Sequence, residues 1–258
     1  MEYRILAVGD VVGENGVSFL RRQLVQLKKE TKAEFCIVNV ENASLRGLTS
    51  TQAEDIFFAG ADVITLGNHS FQQREILPYL DDCKSILRPA NLAPQLPGRG
   101  WGVFDCKNIQ IAVVNLIGRH NMDYGPDNPF TKMDTLMEKL TGLPVIVDFH
   151  AESTSEKLAM GHMLDGKVSV VFGTHTHVPT ADCMVLPKGT GYVTDLGMTG
   201  PAISCLGIDP KQSIAMFRGE LTSRFREAAG KCTLQAVLFT LDGNTNLCTK
   251  AERVDVYG

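Results

Sequence analysis

Five apolar runs in this 258-residue chain each end in a short polar phrase, and that repetition constrains the fold more than any other feature of the sequence. YRILAV (3–8) is followed by Gly9-Asp10, FCIVNV (35–40) by Glu41-Asn42, and ADVITL (61–66) by Gly67-Asn68-His69. LPVIVDF (143–149) closes on His150, and VSVVFG (168–173) runs into Thr174-His175-Thr176-His177. Short continuous apolar runs bounded by turn signals read as strands covered on both faces. Helical patterns lie between them: Val17, Leu20, Leu24 and Leu27 recur at helical spacing, and further helices are expected over 50–59, 71–81, 131–140 and 154–163. Alternating strands and helices build a largely parallel sheet.

The pattern changes at 101–116, where GVFDC and IQIAVVNL flank Lys107-Asn108 like the arms of a hairpin. The last third predicts short strands near 181–186 and 190–194, a helix near 210–220 and a strand pair near 233–241 and 247–256. No linker or repeat divides residues 1–258, so a single domain is expected, and a composition 44% apolar can fill its core. A net charge of −4 argues against a broad basic surface for duplex nucleic acid or an anionic membrane. Seven cysteines without a CxxC pair support neither a disulfide framework nor a zinc ribbon, and they suit a reducing cytosol. The N-terminus lacks a signal-peptide core and no apolar run approaches the roughly 18–20 residues that span a bilayer, so a cytoplasmic protein without membrane contact is expected.

In an open α/β sheet the carboxyl ends of the strands share one edge, where ligand sites form. The five polar phrases bring Asp10, Glu41, Asn42, Asn68, His69, His150, His175 and His177 to that edge. Singly, each has a plain structural explanation: Asp10 as a helix cap, Asn42 as a turn residue, a lone imidazole as a solvated one. His120 and His162, away from these phrases, are read that way. Recurrence at five strand ends points instead to one site. Carboxylate, amide oxygen and imidazole without thiolate suit manganese, iron or zinc. If residues 173–177 are extended, His175 and His177 face one cavity while Thr174 and Thr176 face away. Seven ligands exceed the needs of one tetrahedral ion and suit two ions about 3.5–4 Å apart that share a carboxylate.

In this order the phrases resemble the calcineurin-like metallophosphoesterases, whose signature runs GD, an acidic bridging residue, GNH, a lone His and GHxH. The resemblance is closer to their bacterial YmdB-like branch, through GDVVG (9–13), NVENA (39–43), LGNH (66–69), RPAN (88–91), DFHAESTSEK (148–157), GTHTHVPTAD (173–182) and TDLGMTGP (194–201). Two departures from the wider superfamily stand out: Val12 occupies the position of a ligating His, and Glu41-Asn42 replaces the usual bridging Asp. The branch shares both.

The resemblance implies a four-layer α/β/β/α sandwich of two mixed sheets flanked by helices, which the pattern alone does not distinguish from a three-layer doubly wound sheet. It implies two metal ions, iron or manganese first and zinc or magnesium as alternatives. Asp10, Glu41, Asn42 and His177 surround one, and Glu41 bridges to a second completed by Asn68, His150 and His175. His69 matches the proton donor to the leaving oxygen. The reaction implied is hydrolysis of a phosphodiester, a 2′,3′-cyclic nucleotide to a 3′-nucleotide, by a metal-bridging hydroxide. RNA ends are further candidate ligands, and a homo-oligomer is compatible with the family. A regulatory binding protein using the same site with little turnover is the alternative. A C–N hydrolase is disfavoured, since its further carboxylate has only Asp195 as a candidate, and Asp195 reads better as a turn residue or a support behind the ligands.

Overall fold

The computed structural model describes residues 1–258 as two six-stranded sheets packed face to face, with helices outside each. One sheet runs Cys248–Arg253, Ala236–Asp242, Glu2–Val8, Phe35–Asn39, Val63–Thr65, Ile86–Leu87. Its last four strands are parallel and the first two antiparallel. The other runs Met184–Val185, Gly191–Val193, Val170–Thr174, Val145–His150, Ile109–Ile117, Trp101–Cys106, with antiparallel strands at both edges. This is the four-layer sandwich.

Strand periodicity explains the layering. Ile5, Ala7, Phe35 and Ile37 face Val113, Ile146, Val170 and Phe172 across the inter-sheet core. Leu6, Val8, Cys36 and Val38 point the other way, onto Leu20 and Leu24 of helix Gly13–Thr31 and Ile56 of helix Ser50–Phe58. In the second sheet Val114, Val147 and Val171 pack against Met133 of helix Pro129–Lys139 and Met160 of helix Thr154–Leu164. Every central strand is buried on both faces, hence the continuous apolar runs. Two shorter helices, Ile76–Asp82 and Pro210–Phe217, complete the set. The expected helix over 71–81 therefore starts later than predicted. The hairpin is present, with Lys107 at φ 53° turning the chain.

A third sheet has no counterpart in the sequence reading: Val256–Tyr257, Cys232–Leu234, Met198–Pro201 and Asp10–Val11. Its pairing of Met198 with Asp10 sets the Gly-rich GMTGP run beside the first polar phrase. No helix is long and apolar enough to cross a membrane.

Candidate active site

All eight residues meet at the edge where both sheets present strand carboxyl ends. Asp10, Glu41, Asn42, Asn68 and His69 follow strands of the first sheet, Asp10 itself lying in the third, and His150, His175 and His177 close or follow strands of the second. Two glycines allow the close approach. A Cβ on Gly9 would strike the Gly197 carbonyl, and one on Gly67 would land on His150 Nε2 and Glu41 Oε2. The loop carrying Glu41 and Asn42 is tied down by the capping box of the next helix. Thr49 Oγ1 accepts from Gln52 N at 3.2 Å, Gln52 Oε1 accepts from Thr49 N at 3.1 Å, and Gln52 Nε2 donates to Ala43 O at 3.1 Å.

The acceptor groups form two sets that meet at Glu41. In one, His150 Nε2 lies 3.4 Å from Glu41 Oε2, 3.0 Å from Asn68 Oδ1 and 3.1 Å from His175 Nδ1. Ligand atoms of Glu41, His150 and His175 all fall within 4.8 Å of one another. In the other, His177 Nε2 lies 3.8 Å from Asp10 Oδ1 and 3.1 Å from Asn42 Nδ2, which also donates to Glu41 Oε1 at 2.9 Å. Asp10 is fully buried and its Oδ1 has no hydrogen-bond partner. A buried carboxylate oxygen left unpaired beside imidazole nitrogens belongs to the donor set of a cation site, so the residues fit bound metal. Asn42 turns Nδ2 inward and Oδ1 towards His69 Nδ1, at 2.9 Å, so coordination through the amide oxygen requires the amide to turn over.

The charges of the site point the same way. Burial opposes the imidazolium of His150, yet Glu41, Asp10 and Asp148 push its pKa up to about 9. Burial would raise Glu41, but His150 and His69 hold it well below the carboxylate range. His175 is pushed down to about 3 by burial and by His150, leaving it neutral and ready to donate a lone pair. Burial raises Asp10 against the pull of His177 and His150. The cluster calls for positive charge, and the proton on His150 supplies part of it.

The geometry of 173–177 corrects the extended reading. The strand ends at Thr174, and His175 and His177 have φ of 98° and 61°, a region that non-glycine residues seldom occupy. The two imidazoles share the site through left-handed backbone rather than strand alternation. Nor do the threonines merely face away. Thr174 Oγ1 lies 2.9 Å from His150 Nδ1 and donates to Asp148 Oδ1 at 2.7 Å, a chain that orients the His150 ring. Asn39 donates to Asp148 Oδ2 at 3.1 Å and accepts from Glu41 N at 3.2 Å. Thr176 is held by Asp195, whose Oδ2 accepts its N–H at 3.1 Å and its hydroxyl at 2.7 Å. The same oxygen meets Lys157 Nζ at 2.7 Å, both side chains 1% exposed. Asp195 therefore stands behind the loop of His175 and His177 and outside the cluster. Asp148, Asn39 and Lys157 are given no role by the sequence, and Thr174 only that of facing away, although all four lie within the phrases NVENA, DFHAESTSEK and GTHTHVPTAD. Polarity in an otherwise apolar strand was a signal that could have marked Asn39 and Asp148.

His69 stands at the mouth, its side chain 21% exposed, with Nδ1 3.1 Å from Glu41 Oε1 and its N–H donating to Glu41 Oε2 at 2.9 Å. Glu152 adds an oxygen 3.0 Å from His175 Nε2. His120 and His162 are exposed and belong to no cluster.

The whole chain matches known proteins. The family model described as YmdB-like protein covers residues 6–254. A 2′,3′-cyclic-nucleotide 2′-phosphodiesterase of Bacillus subtilis is 44% identical over 97% of this chain and 96% of its own. A crystal structure of a novel phosphatase from Mycoplasma pneumoniae superposes with a TM-score of 0.94 at 36% identity, over 100% of this chain and 94% of the other. That of a hypothetical protein from Thermus thermophilus gives 0.92, also at 36%, over 98% and 99%.

Proposed function

The chain belongs to the YmdB-like family, and from that membership we propose that it is a metal-dependent phosphoric diester hydrolase that opens 2′,3′-cyclic nucleotides to 3′-nucleotides. The observation that carries this reading is the pair of acceptor sets joined at Glu41, with the unpartnered Asp10 oxygen in one of them. Asp10, Glu41, Asn42 and His177 would hold one ion, and Glu41, Asn68, His150 and His175 the other. Iron or manganese matches this mixture of nitrogen and oxygen donors. Two such ions supply Lewis acidity at phosphorus and a water acidic enough to become the nucleophile at neutral pH.

The chain's own side chains do the rest. Glu41 holds His69 by Nδ1, and Nε2, which lies 3.4 Å from Asn68 Nδ2, would carry the proton for the departing O2′. General acid assistance of this kind contributes about 100- to 10,000-fold. Thr174 and Asp148 fix the ring of His150, and Asp195 fixes Thr176 between the two neighbouring ligands.

The test is to purify the protein without chelator, quantify Fe, Mn and Zn per chain, and assay the sample against 2′,3′-cyclic AMP, 3′,5′-cyclic AMP and bis-p-nitrophenyl phosphate. Two ions per chain and fastest cleavage of the 2′,3′-cyclic substrate are expected. His69→Ala retains both ions and loses about 100- to 10,000-fold in turnover. Full turnover in a metal-loaded His69→Ala protein removes His69 from the role. Two ions with tight nucleotide binding and negligible cleavage replace the enzyme by a nucleotide-binding regulator.

A further inference from the structure

Beside the ligand cluster opens a cleft of about 620 Å³ that shares Asn42, His69 and His177 with it. Its size lies within the about 300–1,000 Å³ of small-molecule sites. No Asp or Glu lines it, although acidic residues outnumber Lys and Arg by 29 to 25 in the chain. Arg46 and Arg224 do line it, and the ion pairs of the chain's Lys and Arg residues are all made elsewhere. Each of the two stands on backbone pinned by a glutamine. Gln73 Nε2 donates to Arg46 O at 2.9 Å. The buried Gln212 donates through Nε2 to Arg224 O and to Ser223 Oγ, both at 3.1 Å, and accepts from Arg226 N at 2.7 Å. Phe225, half-buried, adds an aromatic ring to the same wall. Unpaired guanidinium groups on fixed backbone beside an aromatic ring match a single-stranded polynucleotide, phosphates to the arginines and a base to the ring.

We propose that this cleft takes the nucleotides that precede the cyclic phosphate, so that the preferred substrate is an RNA 3′ end bearing a 2′,3′-cyclic phosphate rather than the free mononucleotide. The inference rests on the phosphodiesterase reading. Arg46 and Arg224 meet phosphodiesters upstream of the terminal ribose, groups that a cyclic mononucleotide lacks. In the reaction the oxygen of one water bonds to phosphorus and the P–O2′ bond breaks. One proton ends on O2′, and the strand keeps a 3′-phosphate. Such ends arise whenever a ribose 2′-hydroxyl attacks its neighbouring phosphodiester, so transesterifying cleavage of RNA is the class of reaction that supplies the substrate.

The experiment compares kcat/KM of manganese-loaded protein on a triadenylate ending in a 2′,3′-cyclic phosphate with that on 2′,3′-cyclic AMP, between about 50 and 200 mM salt. A preference of at least about tenfold for the trinucleotide is expected at the lower salt, falling with a log–log slope near about −1.4, or about −0.7 for each of two phosphate contacts. Arg46→Ala and Arg224→Ala each reduce that preference about five- to tenfold and flatten the slope by about 0.7, whereas Arg224→Lys keeps the slope. Equal kcat/KM for the two substrates, or a preference indifferent to salt and to both alanine substitutions, overturns the inference and leaves the phosphodiesterase reading standing. Cleavage of neither substrate overturns that reading and the inference with it.

Discussion

Asp10 and Asp195 are equally hidden from solvent, and the chain treats them in opposite ways. Asp195 is closed on all sides. Lys157 meets its Oδ2 at 2.7 Å, Thr176 donates to the same oxygen through its N–H and its hydroxyl, and Gly197 N donates to Oδ1 at 2.9 Å. Asp10 receives His175 N on Oδ2 at 3.1 Å, and its Oδ1 receives nothing. Burying an unpaired carboxylate costs several kcal/mol, and the proposed cation would supply the partner that Asp10 lacks. The closed carboxylate shapes the loop that presents His175 and His177. The open one is where we propose that a metal ion binds.

The comparison breaks most visibly at Asp10. Asp10→Ala lowers kcat/KM at least about 1,000-fold, about 4 kcal/mol of transition-state stabilisation, and takes the bound metal from two ions per chain towards one. Near-normal kcat/KM in metal-loaded Asp10→Ala would place Asp10 with Asp195 as a structural group. Asp195→Ala acts on stability instead. It strands the Lys157 ammonium in the core and costs about 3–5 kcal/mol in denaturant unfolding, with or without metal. A loss confined to the metal-loaded state would make Asp195 part of the metal site.

A gentler substitution sharpens the contrast. In chelator-treated protein Asp10→Asn removes a carboxylate charge that burial penalises and raises stability by about 1–2 kcal/mol, seen as a melting temperature several degrees higher, at about 2–4 °C per kcal/mol. A lower melting temperature would mean that Asp10 is already satisfied without a cation. The smallest effect is a proton count. With its pKa pushed up to about 9 by Glu41, Asp10 and Asp148 against the cost of burial, His150 is protonated at pH 7 in the metal-free protein. Metal takes the neutral ring, so loading at pH 7 releases that proton into unbuffered solution. The release disappears above about pH 9, and metal affinity climbs as pH rises towards that value.

Much of the fold is legible because each central strand is buried on both faces and reads as one apolar run. Val145–His150 and Val170–Thr174 follow from composition alone. The third sheet is not legible, since strands of two to four residues such as Asp10–Val11 and Met198–Pro201 are too short to show any period. Nor is the pairing of two sheets face to face, which depends on residues distant in sequence, such as Ile5 and Phe172, sharing one core, and only the family resemblance implies it. Of the site, the residues just past the strand ends are readable by position. The supports behind them are not. Lys157 lies on a helix, where a lysine ordinarily reaches solvent, and nothing in the sequence pairs it with Asp195, 38 residues on. The left-handed backbone at His175 and His177 is also silent in the sequence, because it is imposed by the bonds of Asp10 to His175 N and of Asp195 to Thr176.

The most direct test of a two-ion site joined at Glu41 is anomalous diffraction at the manganese edge from crystals soaked in Mn²⁺, beside identically treated Asp10→Asn crystals. Two peaks about 3.5–4 Å apart are predicted on either side of Glu41, one next to Asp10 and His177 and the other next to His150 and His175, with the first weakened or lost in Asp10→Asn. A single peak in the unmutated protein, or two peaks that Asp10→Asn leaves unchanged, would contradict the account.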